Sequence, residues 1–195
     1  MKHNTALLVI DAQKIYTHPA SELYCPDCRG TIARINKIVK AFETKKLPIF
    51  FIRHVHKKNG SARDLGRMFD FSGEPPEDFN FKEGTAEVEY DERLYRPKNS
   101  TEIVKNRYSS FVGTGLNAKL KKAKVDTVVI TGFMTNFCCE SAARDAHDLD
   151  YFVDFVVDAT GTPGTQTMNE KQVRAAVADF LGLGFARIRK AKEMV

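Results

Sequence analysis

Three residues of this 195-residue chain are of types that together do acyl-transfer chemistry: Cys138, Asp11 and Lys105. Cys138 follows the apolar run Asp126 to Thr131 across the turn Gly132-Phe133-Met134-Thr135-Asn136-Phe137, at the expected start of a helix. A helix start offers unpaired backbone N–H groups and a partial positive potential, which favour thiolate and can hold an oxyanion. A nearby ammonium would lower the thiol pKa further, and a nearby carboxylate can take the thiol proton and return it to a leaving amine. Singly, each residue has an ordinary structural reading: a small buried hydrophobe, a turn or cap residue, a surface lysine. Asp11 directly after one apolar run and Lys105 closing another give the three a common placement at strand ends.

Alternating elements must supply those ends. Thr5 to Ile10 (TALLVI) is a continuous apolar run, the pattern of a buried parallel strand. Ile32, Ile35, Val39 and Phe42 share one face of a helix expected over Gly30 to Glu43. Further strands are expected at Pro48 to Val55, Glu102 to Lys105, Asp126 to Thr131, Tyr151 to Val157 and Phe185 to Ile188. Helices are expected from Thr114 to Ala123, from about Asn136 or Cys138 to Asp148, and from a Thr167/Glu170 capping box to Gly182 or Gly184. The segment His56 to Asn99 has no sustained period and reads as long loop, of the kind that walls pockets. The pattern specifies a single α/β domain over residues 1–195: three layers, doubly wound, Rossmann-like, with about six mostly parallel strands and helices on both faces. In such sheets reactive residues collect beyond the carboxyl ends of strands.

Composition narrows the class. The hydrophobic fraction of 43% and charged fraction of 28% are ordinary for a globular protein. No apolar run is long enough for a membrane helix, and Ala6 to Ile10 is too short for a signal-peptide core, so a cytoplasmic location is expected. The net charge of +5 gathers at Lys119, Lys121, Lys122 and Lys124 and at Arg187, Arg189, Lys190 and Lys192. These read as a solvated helix face and tail, without the aromatic interleaving of a nucleic-acid site. Of four cysteines, Cys25 and Cys28 form a CxxC with no second pair to complete a zinc site, and read as structural.

The segments LLVIDAQ (Leu7 to Gln13), KNRYSSFVGTGL (Lys105 to Leu116) and VVITGFMTNFCCESAARDA (Val128 to Ala146) resemble the isochorismatase-like cysteine hydrolase superfamily. It includes nicotinamidases, N-carbamoylsarcosine amidohydrolase, ureidoacrylate hydrolases and isochorismatases. The resemblance runs along nearly the whole chain. It implies a six-stranded parallel sheet, a homodimer or homotetramer, and Asp11, Lys105 and Cys138 as the catalytic set, with Cys139 packing away. It also implies a cis peptide at Phe133–Met134 and an oxyanion hole from the Met134 and Cys138 N–H groups. Strand-end position nominates Gln13, Tyr16, Phe111 and Phe133 for the pocket of a small-molecule substrate. Metal-binding nicotinamidases carry Asp-x-His where this chain has His54-Val55-His56, so the aspartate is missing; no cofactor is expected, and a metal held by His54 and His56 is the alternative reading. The presence of Cys138 favours an amide, carbamoyl or ureido C–N substrate and a thioester. A vinyl ether hydrolase using Asp11 as acid is the alternative, and a non-enzymatic scaffold that kept the fold is the third reading.

Overall fold

The structure is a computed structural model that describes residues 4–67 and 79–195. Its centre is a six-stranded sheet: β1 (Thr5–Ile10), β2 (Ile49–His54), β3 (Thr101–Lys105), β4 (Thr127–Phe133), β5 (Phe152–Gly161) and β6 (Arg187–Arg189). The order is β3-β2-β1-β4-β5-β6 and every pairing is parallel.

Period-two side-chain direction sorts the central strand into two cores. Leu7 and Val9 of β1 face one layer, where α2 (Cys28–Thr44) lays down Ile32, Ile35, Ile38, Val39 and Phe42. Short α1 (Lys14–Thr17) packs on the same side through Ile15 and Tyr16. Ala6, Leu8 and Ile10 face the other layer. There α4 (Leu116–Lys122) buries Leu116 and Leu120, and α5 (Glu140–Asp148) buries Ala142, Ala143 and Ala146. The same layer takes Val173, Val177 and Leu181 from α6 (Glu170–Gly182). α3 (Ala62–Leu65) is a single turn between β2 and β3.

Several boundaries differ from the sequence reading. β5 runs on to Gly161 past a register shift opposite Ile130 and Gly132. β6 sits at Arg187–Arg189, later than Phe185 to Ile188. The capping box of α6 is Asn169/Gln172 rather than Thr167/Glu170. Asn169 has the extended backbone a cap needs, and its Oδ1 accepts from the Gln172 N–H at 3.0 Å. Glu170 instead pairs with Arg174 at 2.8 Å. Arg187 and Arg189 are not a free tail: both reach the buried Asp154 on β5, at 2.8 and 3.1 Å, and hold β6 to the sheet. The part of the His56–Asn99 segment over residues 68–78 lies outside the described residues. The rest contains α3, a 3-10 turn at Ala86–Val88 and two bridges, Gln13 with Tyr90 and His56 with Lys82. Among the described residues no helix is long and apolar enough to cross a membrane.

Gly132 shows how tightly β1 and β4 approach. Its φ is +120°, and a Cβ there would lie 1.9 Å from the Ile10 carbonyl oxygen. Backbone cannot yield as a side chain can. Gly132→Ala is expected to cost about 3 kcal/mol or more, from overpacking and a strained φ together. At about 2–4 °C per kcal/mol for a chain of this size, a thermal melt should drop by roughly 6–12 °C or the protein should fail to accumulate. An unchanged melt would contradict the close approach.

Candidate active site

The strand order reverses beside β1: successive strands step one way to β2 and β3, and the other way from β4 to β6. A crevice forms at such a switch point, outside the carboxyl ends. Register brings those ends together, with Ile10 opposite both Ile52 and Gly132, and His54 opposite Lys105. Asp11, His54, Lys105 and Cys138 therefore arrive from four different strand ends.

Lys105 joins the set. Its Nζ lies 2.8 Å from Asp11 Oδ2 and 3.2 Å from Cys138 Sγ, and donates to the Arg107 carbonyl at 3.0 Å. An Asp11 oxygen, a His54 ring nitrogen and Cys138 Sγ lie within 4.8 Å of one another. All these side chains are buried. Asp11 has φ +48° as the chain turns out of β1, and its N–H donates to the Ile52 carbonyl at 2.9 Å.

Cys138 sits on a π-helical turn, Thr135–Cys139, that leads into α5. The Met134 carbonyl closes it, accepting from the N–H groups of Phe137 at 3.2 Å and Cys139 at 3.1 Å. Thr135 and Asn136 tie the turn to the end of β5 through the hydroxyls of Thr160 and Thr162, each at 2.9 Å. The Phe133–Met134 peptide is cis, as the resemblance implies. Cys139 is also fully buried.

The electrostatics correct one expectation. Burial pushes the Cys138 thiol up; the Lys105 ammonium opposes this, while the Asp11 carboxylate adds to it. A helix start alone suggested a lowered pKa, but loss of water around the sulfur outweighs it. The resting sulfur is a thiol, and something must take its proton. Burial likewise raises Asp11 above the usual 3.8 against the pull of Lys105. Lys105 is itself raised above 10.5: burial works against its charge, but Asp11 and Cys138 prevail. At neutral pH the sulfur is a thiol and Lys105 an ammonium, with the Asp11 carboxyl 2.8 Å from that ammonium.

The pocket residues divide. Tyr16 and Phe133 stack at 5.7 Å and 10°. Burial first, then the ionised Cys138 and Asp11, hold the Tyr16 phenol well above 10.0, which places it beside the site. Gln13 is not a pocket wall. Its amide is spent on backbone: Nε2 donates to the carbonyls of His54 (3.0 Å) and Val88 (2.9 Å), and Oε1 accepts from the His54 N–H (2.8 Å). Phe111 also falls away. Its ring lies 6.1 Å from Tyr151, just before β5, at the opposite end of the sheet, and belongs to the core.

Sequence reasoning missed Tyr108 and the partners of the two histidines. Tyr108 lies 5.2 Å from Phe137, and after burial it is Cys138 that raises its phenol pKa. His54 Nε2 meets His56 Nε2 at 3.1 Å, and His56 Nδ1 meets Asp64 Oδ2 at 3.1 Å. Asp64 comes from α3, and Asn106 donates to its other oxygen at 3.0 Å. Only the H-x-H spacing hinted at this; Asp64 had no signal. Burial lowers both histidines below 6.5, His56 despite Asp64, so both rings are neutral at pH 7.

Asp11, His54 and Cys138 are metal-ligand types, but the Lys105 ammonium already lies against two of them. A cation there would meet a like charge in a dry space, so this donor set does not fit a metal. Cys25 and Cys28 are buried free thiols, each pointing at a backbone carbonyl.

Known proteins resemble this chain along most of its length. The isochorismatase domain pattern matches residues 5–183. Nicotinamidase 3 of Arabidopsis thaliana is 33% identical over 183 residues, covering 93% of this chain and 82% of that protein. A ureidoacrylate amidohydrolase of Methylobacterium radiotolerans is 28% identical over 90% of this chain and 72% of its own length. A crystal structure of a cysteine hydrolase from Pseudomonas syringae pv. phaseolicola superposes with a TM-score of 0.87 at 27% identity, over 97% of this chain and 90% of that one.

Proposed function

Since the chain belongs to the isochorismatase family and is a hydrolase of that family, we propose that it cleaves the C–N bond of a small amide, carbamoyl or ureido compound through a thioester on Cys138. The observation that carries this is the Lys105 ammonium bridging a buried carboxylate and a buried thiol, at 2.8 and 3.2 Å.

In this reading Asp11 takes the Cys138 proton as sulfur bonds to the carbonyl carbon. A carboxylate raised by burial is a better base for a thiol than an exposed one. Lys105 stabilises the thiolate as it forms. The oxyanion rests on the Met134 and Cys138 N–H groups. The C–N bond then breaks, and Asp11 returns the proton to the departing nitrogen. Water, deprotonated by Asp11, attacks the thioester; an acid is released and the thiol reforms. Tyr16 and Phe133 exclude water from the reacting carbon.

The experiment is a panel of nicotinamide, ureidoacrylate, N-carbamoylsarcosine and isochorismate with the purified enzyme, followed by ammonia and pyruvate release. Turnover of a C–N compound supports the reading. Turnover of isochorismate alone would replace it with ether hydrolysis. The scheme uses protein groups throughout, so dialysis against EDTA should leave kcat/KM unchanged. A loss restored by zinc would contradict the metal-free mechanism.

A further inference from the structure

His54 closes β2 inside the site, yet the proposed reaction leaves it idle. Its side chain is fully buried, its ring stacks on Phe81 at 4.2 Å, and its Nδ1 has no hydrogen-bond partner among the described residues. A buried polar atom without a partner has a desolvation cost that an occupant of the site would remove.

The chain behind His54 decides what that atom is. Asp64 accepts from Asn106, from the Lys57 N–H at 2.9 Å and from His56, so it is an ionised acceptor. His56 Nδ1 must then carry the proton. The neutral ring leaves His56 Nε2 bare, and it accepts from His54 Nε2–H across 3.1 Å. The proton of the neutral His54 ring is on Nε2, and Nδ1 is an acceptor lone pair.

Resting on the hydrolase reading, we infer that His54 Nδ1 accepts a hydrogen bond from an N–H or O–H carried on or next to the substrate carbonyl, held in that tautomer by His56 and Asp64. A His54 ring nitrogen lies within 4.8 Å of Cys138 Sγ, so the donor must sit close to the attacked carbon. Primary carboxamides and carbamoyl compounds carry such a donor. Esters and tertiary amides do not, and the site selects against them. His54 is a specificity residue, and His56 and Asp64 position it.

The test needs no knowledge of the substrate. Iodoacetamide and methyl iodoacetate both alkylate a thiol by displacing iodide, but only the amide has an N–H donor. Both must enter the same buried site, so the ratio of their rate constants at Cys138, followed by peptide mass, cancels access. Relative to the same ratio for glutathione, the wild type should favour iodoacetamide about tenfold, the worth of one hydrogen bond of about 1.4 kcal/mol. His54→Asn keeps an acceptor oxygen and should retain the preference, and His54→Leu should lose it. Nitrogen-15 spectra of the wild type should show His54 protonated on Nε2. A glutathione-like ratio with brisk alkylation, or a proton on Nδ1, would overturn this inference and leave the hydrolase reading standing. No alkylation of Cys138 by either reagent would remove both.

Discussion

Cys138→Ala should abolish turnover of whichever C–N substrate the panel identifies while leaving the melt nearly unchanged. Deleting the nucleophile of a triad hydrolase costs on the order of 10⁴–10⁶-fold in kcat, so the variant should fall to the assay background. The fold tolerates it because alanine removes one buried sulfur and leaves the Asp11–Lys105 pair, at 2.8 Å, intact. Cys138→Ser should be nearly as inactive. A hydroxyl is a far weaker acid than a thiol, and a burial that already raises the thiol pKa would raise the hydroxyl's too. Ammonia release by Cys138→Ala at more than about one-hundredth of the wild-type rate would rule out a thioester at this residue.

Asp11→Asn should show the second-largest effect, with a separation that no simple loss of fold produces. Turnover should fall by roughly 10²–10⁴-fold, the usual worth of a general base. Alkylation of Cys138 should not fall with it. Without the carboxylate, Lys105 loses its buried counter-ion and Cys138 loses a neighbour that raises its pKa, so the thiolate becomes easier to form. Removing one partner of a buried pair costs about 3–5 kcal/mol, so the variant should melt lower and be assayed well below that point. The wild-type pH profile should carry the same group. Asp11 works as base only when ionised and burial raises it, so the acid limb of kcat/KM should fall at a pH above 3.8. The limb should vanish from the residual activity of Asp11→Asn. An acid limb that persists there would move the base elsewhere.

The parts legible in the sequence were those written in local pattern. Buried parallel strands are continuous apolar runs, so Thr5–Ile10 and the core of β4 read directly, and their ends pointed to Asp11 and Cys138. What a three-dimensional neighbour decides was not legible. The helix start at Cys138 suggested a lowered thiol pKa, and the burial that reverses it comes from elements far apart in the chain. Gln13 and Phe111 sit near strand ends in sequence, yet one is a clasp between β2 and Val88 and the other packs on Tyr151. Asp64 belongs to a stretch without period, and only the fold of α3 brings it to His56. For α6, overlapping T-x-x-E and N-x-x-Q patterns compete, and the extended backbone at Asn169 selects the second.

The most direct measurement is the mass of the enzyme caught during a single turnover. Acid quench of enzyme mixed with excess substrate from the panel, followed by intact and peptide mass analysis, should give an adduct equal to substrate minus its departing amine, on the peptide containing Cys138. Hydroxylamine should remove it, and Cys138→Ala should never form it. Product that accumulates through a full time course of quenches with no such adduct, or an acyl group on another residue, would contradict the assignment of Cys138 as the nucleophile.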